Sequence, residues 1–167
     1  MRTFGFVGPF QRYFGRVFEG GPLLSVSPFL VKNAGIRALL KVIKGIAWIA
    51  DQWDKLQTYM HPPKDLKELQ DEVDKPEAGT EVHHIVETQY NSDAPNANAK
   101  VFNDGRLESR ENKVRIPYWK HRDVTAWYST PNEEFGWQTP REYMRGKSWE
   151  EQYSYGLSVL RKFGALK

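Results

Sequence analysis

The segment Glu81-Val82-His83-His84-Ile85-Val86-Glu87 places two adjacent histidines in a run of β-branched residues, which is typical of a strand. Adjacent side chains of a strand point to opposite faces of a sheet. Such a pair can therefore serve two different tasks, with one ring facing a metal ion and the other facing a substrate, although adjacent histidines also occur in ordinary strands. This pair is the strongest indication of chemistry in the chain.

A second strand-like run, Lys113 to Ile116, begins after Asn112 and ends at Pro117, and a helical pattern that contains His121 follows it directly. A long polar stretch from Tyr90 to Glu111 separates the two strands, and it includes the turn residues Asn103-Asp104-Gly105. Two strands and a following helix predict an α+β fold with a small hairpin–helix core.

Two further helices are predicted after this core. Thr139-Pro140-Arg141-Glu142 and Ser148-Trp149-Glu150-Glu151 both have the spacing of a capping box, and Gly146 and Gly164 stand where each helix would end. An apolar stripe on the second helix should pack behind the hairpin; it consists of Trp149, Tyr153, Leu157, Leu160 and Phe163. These helices are predicted to be structural.

The basic excess of the chain lies in its first third. Residues 1–50 contain seven basic residues and one acidic residue, whereas residues 51–167 contain 17 basic and 20 acidic residues. From about Pro28 to Met60 apolar residues recur at helical spacing, with Lys41 and Lys44 on the other face. Four charges between Phe29 and Ala50 argue against a membrane span.

Such a basic amphipathic helix can lie on a membrane surface, along a phosphate backbone, or against its own domain or a partner chain. His61-Pro62-Pro63 ends the helical pattern, and Lys75-Pro76-Glu77-Ala78-Gly79 forms a flexible joint. We therefore predict a helical extension for docking or attachment at residues 1–78 and a second domain at residues 79–167. The opening segment Met1–Gly20 is expected to dock on a partner or on the domain itself, and no secretory signal peptide is expected.

The chain of 167 residues has no cysteine. Disulfides, cysteine-ligated zinc, iron–sulfur clusters and thiol nucleophiles are thereby excluded. Any metal must be held by His, Asp, Glu or Asn side chains.

The histidine pair, Asn112 with its strand, and His121 together resemble the HNH (ββα-metal) endonucleases, and more closely the nuclease domains of bacterial polymorphic and type VI secretion toxins. The C-terminal region is similar to that subgroup as well, and the resemblance covers roughly residues 80–167. The matching tail segments are Ala126-Trp127-Tyr128, Thr139 to Glu150, and Phe163-Gly164-Ala165-Leu166-Lys167.

The resemblance implies a ββα-metal core with additional C-terminal helices and a helical extension before it. It implies His84 as the general base, which Asn112 assists by holding the backbone or the ring of the base in place. It also implies His83 and His121 as ligands of one divalent ion, whether Mg²⁺, Mn²⁺, Ni²⁺ or Zn²⁺. Two histidines leave the metal site incomplete, so water, phosphate oxygens or a carboxylate (Glu87 or Asp123) must complete it.

The chemistry of phosphodiester hydrolysis fits these residue types. A neutral imidazole titrates near working pH and can take a proton from water, while a divalent ion acts as a Lewis acid on the phosphate. Several basic residues surround the histidines, and we expect Arg115 and Arg122 to contact substrate phosphates because they flank the metal-bearing strand and helix.

The expected function is therefore metal-dependent, non-specific cleavage of DNA by an antibacterial toxin effector. The expected partners are DNA and either an immunity protein or a secretion or particle component, which would bind through residues 1–60. The expected location is the bacterial cytoplasm, a target cell or a phage particle. The alternative is a non-enzymatic phage or secretion-particle component that retains an HNH scaffold.

Overall fold

A computed structural model describes residues 34–88 and 98–167 as a mixed helix-and-strand structure. The predicted docking segment Met1–Gly20 and part of the polar connection between the strands lie outside the described residues. The helices are α1 Ala34–Asp51, α2 Trp53–Tyr59, α3 Leu66–Asp71, α4 Asn98–Val101, α5 Asp104–Leu107, α6 Tyr118–Tyr128, α7 Pro140–Met144 and α8 Trp149–Lys162. The strands are β1 Thr80–His84 and β2 Lys113–Pro117, and short 3₁₀ segments cover Arg110–Asn112 and Glu133–Phe135.

The two strands pair as an antiparallel hairpin, as the sequence predicted. The register joins Thr80 to Pro117 at one end and His84 to Lys113 at the other, with His83 opposite Val114. Because opposed residues share a face of the sheet, His83 lies on the face that carries the buried Val114, and His84 lies on the face of Lys113. The hairpin thus separates the two imidazoles.

Helix α6 begins directly after β2, because Pro117 ends the strand and occupies the N-cap position. The core lies between the hairpin, α6 and α8, and five of its side chains are completely buried: Ile85, Val114, Ile116, Val124 and Leu160. The α+β class predicted from the sequence is confirmed at this level. The apolar core gives the hairpin a rigid support on the side that carries His83.

Both predicted capping boxes are present at the C-terminal helices. Thr139 and Ser148 accept hydrogen bonds from the backbone N–H groups of Glu142 and Glu151. The chain turns after each helix at a glycine with positive φ, 81° at Gly146 and 65° at Gly164. Local sequence signals therefore located these helices correctly.

Residues 64–73 contact the hairpin and the C-terminus. The backbone N–H of Lys64 donates to the carbonyl of Ala165, and that of Lys167 donates to the carbonyl of Lys64. The chain divides into two compact units between Asp54 and Lys55, whereas the sequence predicted a division near residue 78. The difference arises because these bonds at Lys64, and those from Arg115 to the carbonyls of Glu72 and Val73, join residues 64–73 to the second unit.

The first unit contains α1, which falls within the helical region predicted for residues 28–60. That region is interrupted at Gln52, so α1 and α2 are separate helices. Among the described residues, none of the helices has the length and apolar character that crossing a bilayer requires.

Candidate functional site

His83 lies at the centre of the candidate site and is almost completely buried. Its Nε2 makes no hydrogen bond within the described part of the chain. Burial, together with the smaller effects of the neighbouring His121 and His84, lowers the pKa of His83 to about 3. The ring is therefore neutral at physiological pH and presents an unbonded nitrogen.

His121, on α6, lies beside the ring of His83 on the same face of the hairpin. The centroids of the two rings are 5.1 Å apart, in an edge-to-face arrangement. The Nδ1 atom of His121 lies 2.5 Å from Oε2 of Glu81, which stands two positions before His83 on β1 and so shares its face. A carboxylate in this position accepts a hydrogen bond from Nδ1–H, and the neutral tautomer that this bond selects has its lone pair on Nε2.

His84 points to the other face of the hairpin and has a different environment. Its Nε2 lies 3.3 Å from Oε1 of Glu108, a distance compatible with an ion pair, although it makes no hydrogen bond among the described residues. Oε2 of the same carboxylate lies 2.6 Å from Nζ of Lys113, the residue opposite His84 in the register. Glu108 therefore lies between the imidazole and the lysine.

Asn112 is completely buried and binds the backbone that follows His84. Its side-chain Oδ1 accepts from the backbone N–H of Val86 (2.8 Å), and its Nδ2 donates to the carbonyls of Val86 (3.1 Å) and Leu107 (2.9 Å). Its own carbonyl accepts from the N–H of Ile85 (2.8 Å). These bonds hold the chain just after the histidine pair, which is one of the two ways in which the sequence expected Asn112 to act.

The two predicted phosphate-binding arginines have different surroundings. The guanidinium of Arg115 donates to the carbonyls of Glu72 (2.9 Å) and Val73 (2.8 Å) and to Oγ1 of Thr80 (3.2 Å). Its donors therefore join the end of α3 to the hairpin, a structural task that the sequence did not predict. Arg122 is exposed on α6, next to His121.

Each carboxylate that the sequence suggested as an additional ligand has another hydrogen-bond partner. Both oxygens of Glu87 accept from Arg141, at 2.9 and 2.7 Å. The hydroxyl of Tyr59 donates to Oδ2 of Asp123 at 3.4 Å, and burial raises the pKa of Asp123 to about 6. These carboxylates take part in other contacts of the domain.

Glu81 and Glu108 are the carboxylates at the site, and neither was predicted from the sequence. The position of Glu81 could have been found from strand alternation, because residues two apart on β1 share a face. No such signal exists for Glu108, which follows α5 and reaches His84 only through the folding of the connection. Within residues 34–88 and 98–167, no three His, Asp or Glu side chains are grouped closely enough to form a complete metal site by themselves.

Comparisons with known proteins give no match. No protein-family model, no curated protein and no solved structure is significantly similar to the chain. A function for this site must therefore be inferred from its residues and their geometry.

Proposed function

We propose that the hairpin and helix α6 form the ββα-metal core of an HNH-type endonuclease, which hydrolyses phosphodiester bonds in DNA without sequence preference. The observation that carries the proposal is the placement of His83 on β1 against His121 on α6, with 5.1 Å between the ring centroids. His84, the next residue along β1, faces the opposite side with its own carboxylate and lysine. Two imidazoles suited to metal binding thus adjoin one suited to proton transfer.

The metal ligands in this proposal are Nε2 of His83 and Nε2 of His121. His83 fits the role because its ring is neutral, buried and without a hydrogen-bond partner at Nε2. His121 fits because Glu81 holds the other nitrogen of its ring. Imidazole nitrogens suit first-row divalent ions, and solvent and phosphate oxygens would supply the remaining ligands. The bound ion would act as a Lewis acid on the scissile phosphate.

His84 is the general base in this proposal. A neutral imidazole can take a proton from the attacking water, and a carboxylate oxygen of Glu108 lies 3.3 Å from its Nε2. Asn112 keeps the backbone of Ile85 and Val86 in place, so the direction in which His84 leaves the strand is maintained. Lys113 and Arg122 supply positive charge for the phosphate backbone.

Because the chain resembles the nuclease domains of secretion toxins, we also propose that it acts as an antibacterial effector on the DNA of a target cell. The producing cell would then need an immunity protein. A secretion, phage or other particle partner would bind through residues 1–60.

The experiment is a plasmid-cleavage assay on the purified chain with Mg²⁺, Mn²⁺, Ni²⁺, Zn²⁺ or EDTA. We expect at least one metal to support cleavage, EDTA to stop it, and His84→Ala to reduce it by at least 100-fold. His61→Ala is the matched control, since His61 lies outside the site and only its carbonyl bonds to Lys120. Cleavage by His84→Ala at the level of the unsubstituted chain would contradict the assignment of the base.

One observation favours the alternative of a non-enzymatic particle component. Among the described residues, His83 and His121 have no third side chain beside them that would complete a metal site. If no metal supports cleavage while the chain still binds DNA or a particle, this alternative replaces the enzyme.

A further inference from the structure

Helix α1 carries a continuous apolar surface of exposed side chains. Leu39 and Val42 are each 58% exposed, and Ile46 is 63% exposed. Ile43 and Ile49 belong to the same surface, at 43% and 41%. At about 100° per residue these five side chains lie within one third of the circumference of the helix. We call this set the apolar face of α1.

The opposite side of the helix is cationic. Lys41 and Lys44 are both exposed and lie about half a turn away from the centre of the apolar face. Asp51, at the last position of α1, is the helix's sole acidic residue. A helix with one apolar face and one cationic face is characteristic of segments that lie in the surface plane of a membrane.

The sequence around α1 has the same character. Residues 1–50 contain seven basic residues and one acidic residue, against 17 basic and 20 acidic residues in the remainder. The segment Met1–Gly20 has three arginines among six aromatic residues. Aromatic and basic residues together are the composition that favours the boundary between headgroups and acyl chains.

The apolar face and the cationic face of α1 together favour one kind of binding partner. DNA or RNA would neutralise the lysines but leave the apolar face in water, and a second copy or an apolar protein groove would cover that face without using the lysines. An anionic lipid surface satisfies both, because acyl chains take the apolar face and headgroup phosphates attract the lysines. We propose that α1 binds in the plane of an anionic bilayer surface and attaches the chain to it.

The test is flotation of the 167-residue chain with vesicles of phosphatidylcholine alone or with 30% phosphatidylglycerol. We expect at least tenfold tighter binding to the anionic vesicles, weakened several-fold by 0.5 M salt. Leu39→Ser/Ile46→Ser should reduce binding to anionic vesicles at least tenfold, whereas the control Ala38→Ser, at an exposed position of the same helix, should leave it unchanged. Lys41→Gln/Lys44→Gln should reduce only the preference for anionic lipid.

Because the substituted side chains are exposed, each variant should keep the thermal unfolding transition of the full chain, which circular dichroism checks. Failure to float with anionic vesicles would overturn the proposal, as would equal binding by Leu39→Ser/Ile46→Ser. A concentration-dependent dimer that this double variant abolishes, without vesicle binding, would assign the apolar face to a second copy instead. None of these measurements depends on nuclease activity.

Discussion

The side-chain amide of Asn112 pairs with both backbone groups of Val86, accepting from its N–H at 2.8 Å and donating to its carbonyl at 3.1 Å. Asn112 precedes β2, and Val86 follows the histidine pair of β1. The amide thus closes the open end of the hairpin, where the strand ladder has already stopped. Because Asn112 is completely buried, water cannot easily replace these hydrogen bonds.

We predict that Asn112→Ala lowers the free energy of unfolding by about 3 kcal/mol, because it leaves three buried backbone groups without partners. Urea unfolding followed by tryptophan fluorescence measures the change. Asn103→Ala is a matched control that removes only the exposed N-cap of α5 and should cost about 1 kcal/mol. Equal losses in the two variants would contradict the role of Asn112.

Gly156 permits a close approach between α8 and the chain after His84. A Cβ at this position would lie 2.2 Å from the carbonyl oxygen of Ile85 and 2.8 Å from its Cγ2. Gly156→Ala should therefore destabilise the domain by about 2 to 3 kcal/mol in urea unfolding. Gly45→Ala, in the open surroundings of α1, should leave the main unfolding transition unchanged, and a similar loss there would show that the effect at Gly156 is not steric.

Glu81→Gln should weaken metal binding by 10- to 100-fold, the usual effect of losing a carboxylate partner of a ligating histidine. Isothermal titration calorimetry with Ni²⁺ or Zn²⁺ measures the affinity, and Glu133→Gln at an exposed position serves as the control. If Glu81→Gln binds metal as tightly as the unsubstituted chain, His121 does not bind the ion through Nε2 as proposed.

Substitution of Arg115 should change the stability of the domain, whereas substitution of Arg122 should change DNA binding. Arg115→Ala removes a side chain that bonds to Glu72, Val73 and Thr80, so it should destabilise the domain by about 2 kcal/mol. Arg122→Ala should leave stability unchanged and weaken DNA binding uniformly, with a salt slope reduced by about one. Unfolding curves and DNA titrations at several salt concentrations distinguish the two. If Arg122→Ala lost stability and Arg115→Ala did not, the structural role would belong to Arg122 instead of Arg115.

Alkaline conditions should destabilise the domain through Tyr155. Burial raises the pKa of Tyr155 to about 12, although the hydrogen bond from Trp127 opposes the shift. Since the unfolded chain loses this proton near the ordinary pKa of 10, the stabilisation is complete below pH 10 and is lost between pH 10 and 12. Tyr155→Phe should flatten the dependence of unfolding free energy on pH in this range.

The control for that experiment is Tyr143→Phe, because Tyr143 is exposed. The unfolding free energy of the Tyr143→Phe variant should depend on pH in the same way as that of the unsubstituted chain. A Tyr155→Phe variant that keeps the full alkaline slope would show that other tyrosines cause it, with Tyr128, whose pKa burial also raises, as the first candidate.

The sequence predicted much of the local structure. Strand β1 with its two histidine faces, the start of β2 after Asn112 and both capping boxes are present in the structure. Asn103-Asp104-Gly105 predicts a turn, but Asn103 caps α5 by accepting a hydrogen bond from the N–H of Arg106. That prediction was wrong because asparagine before aspartate satisfies the same backbone N–H groups in a turn and at a helix start.

Strand alternation, caps and helix ends could be predicted because they depend on backbone geometry and on side chains only a few residues apart. The partner of each polar group at the site follows from tertiary packing instead. Glu81 reaches His121, Glu108 reaches His84, and Arg115 bonds to the end of α3. These pairs form only when the apolar core brings distant elements together, and that arrangement results from many weak contacts summed over the whole domain rather than from any single motif.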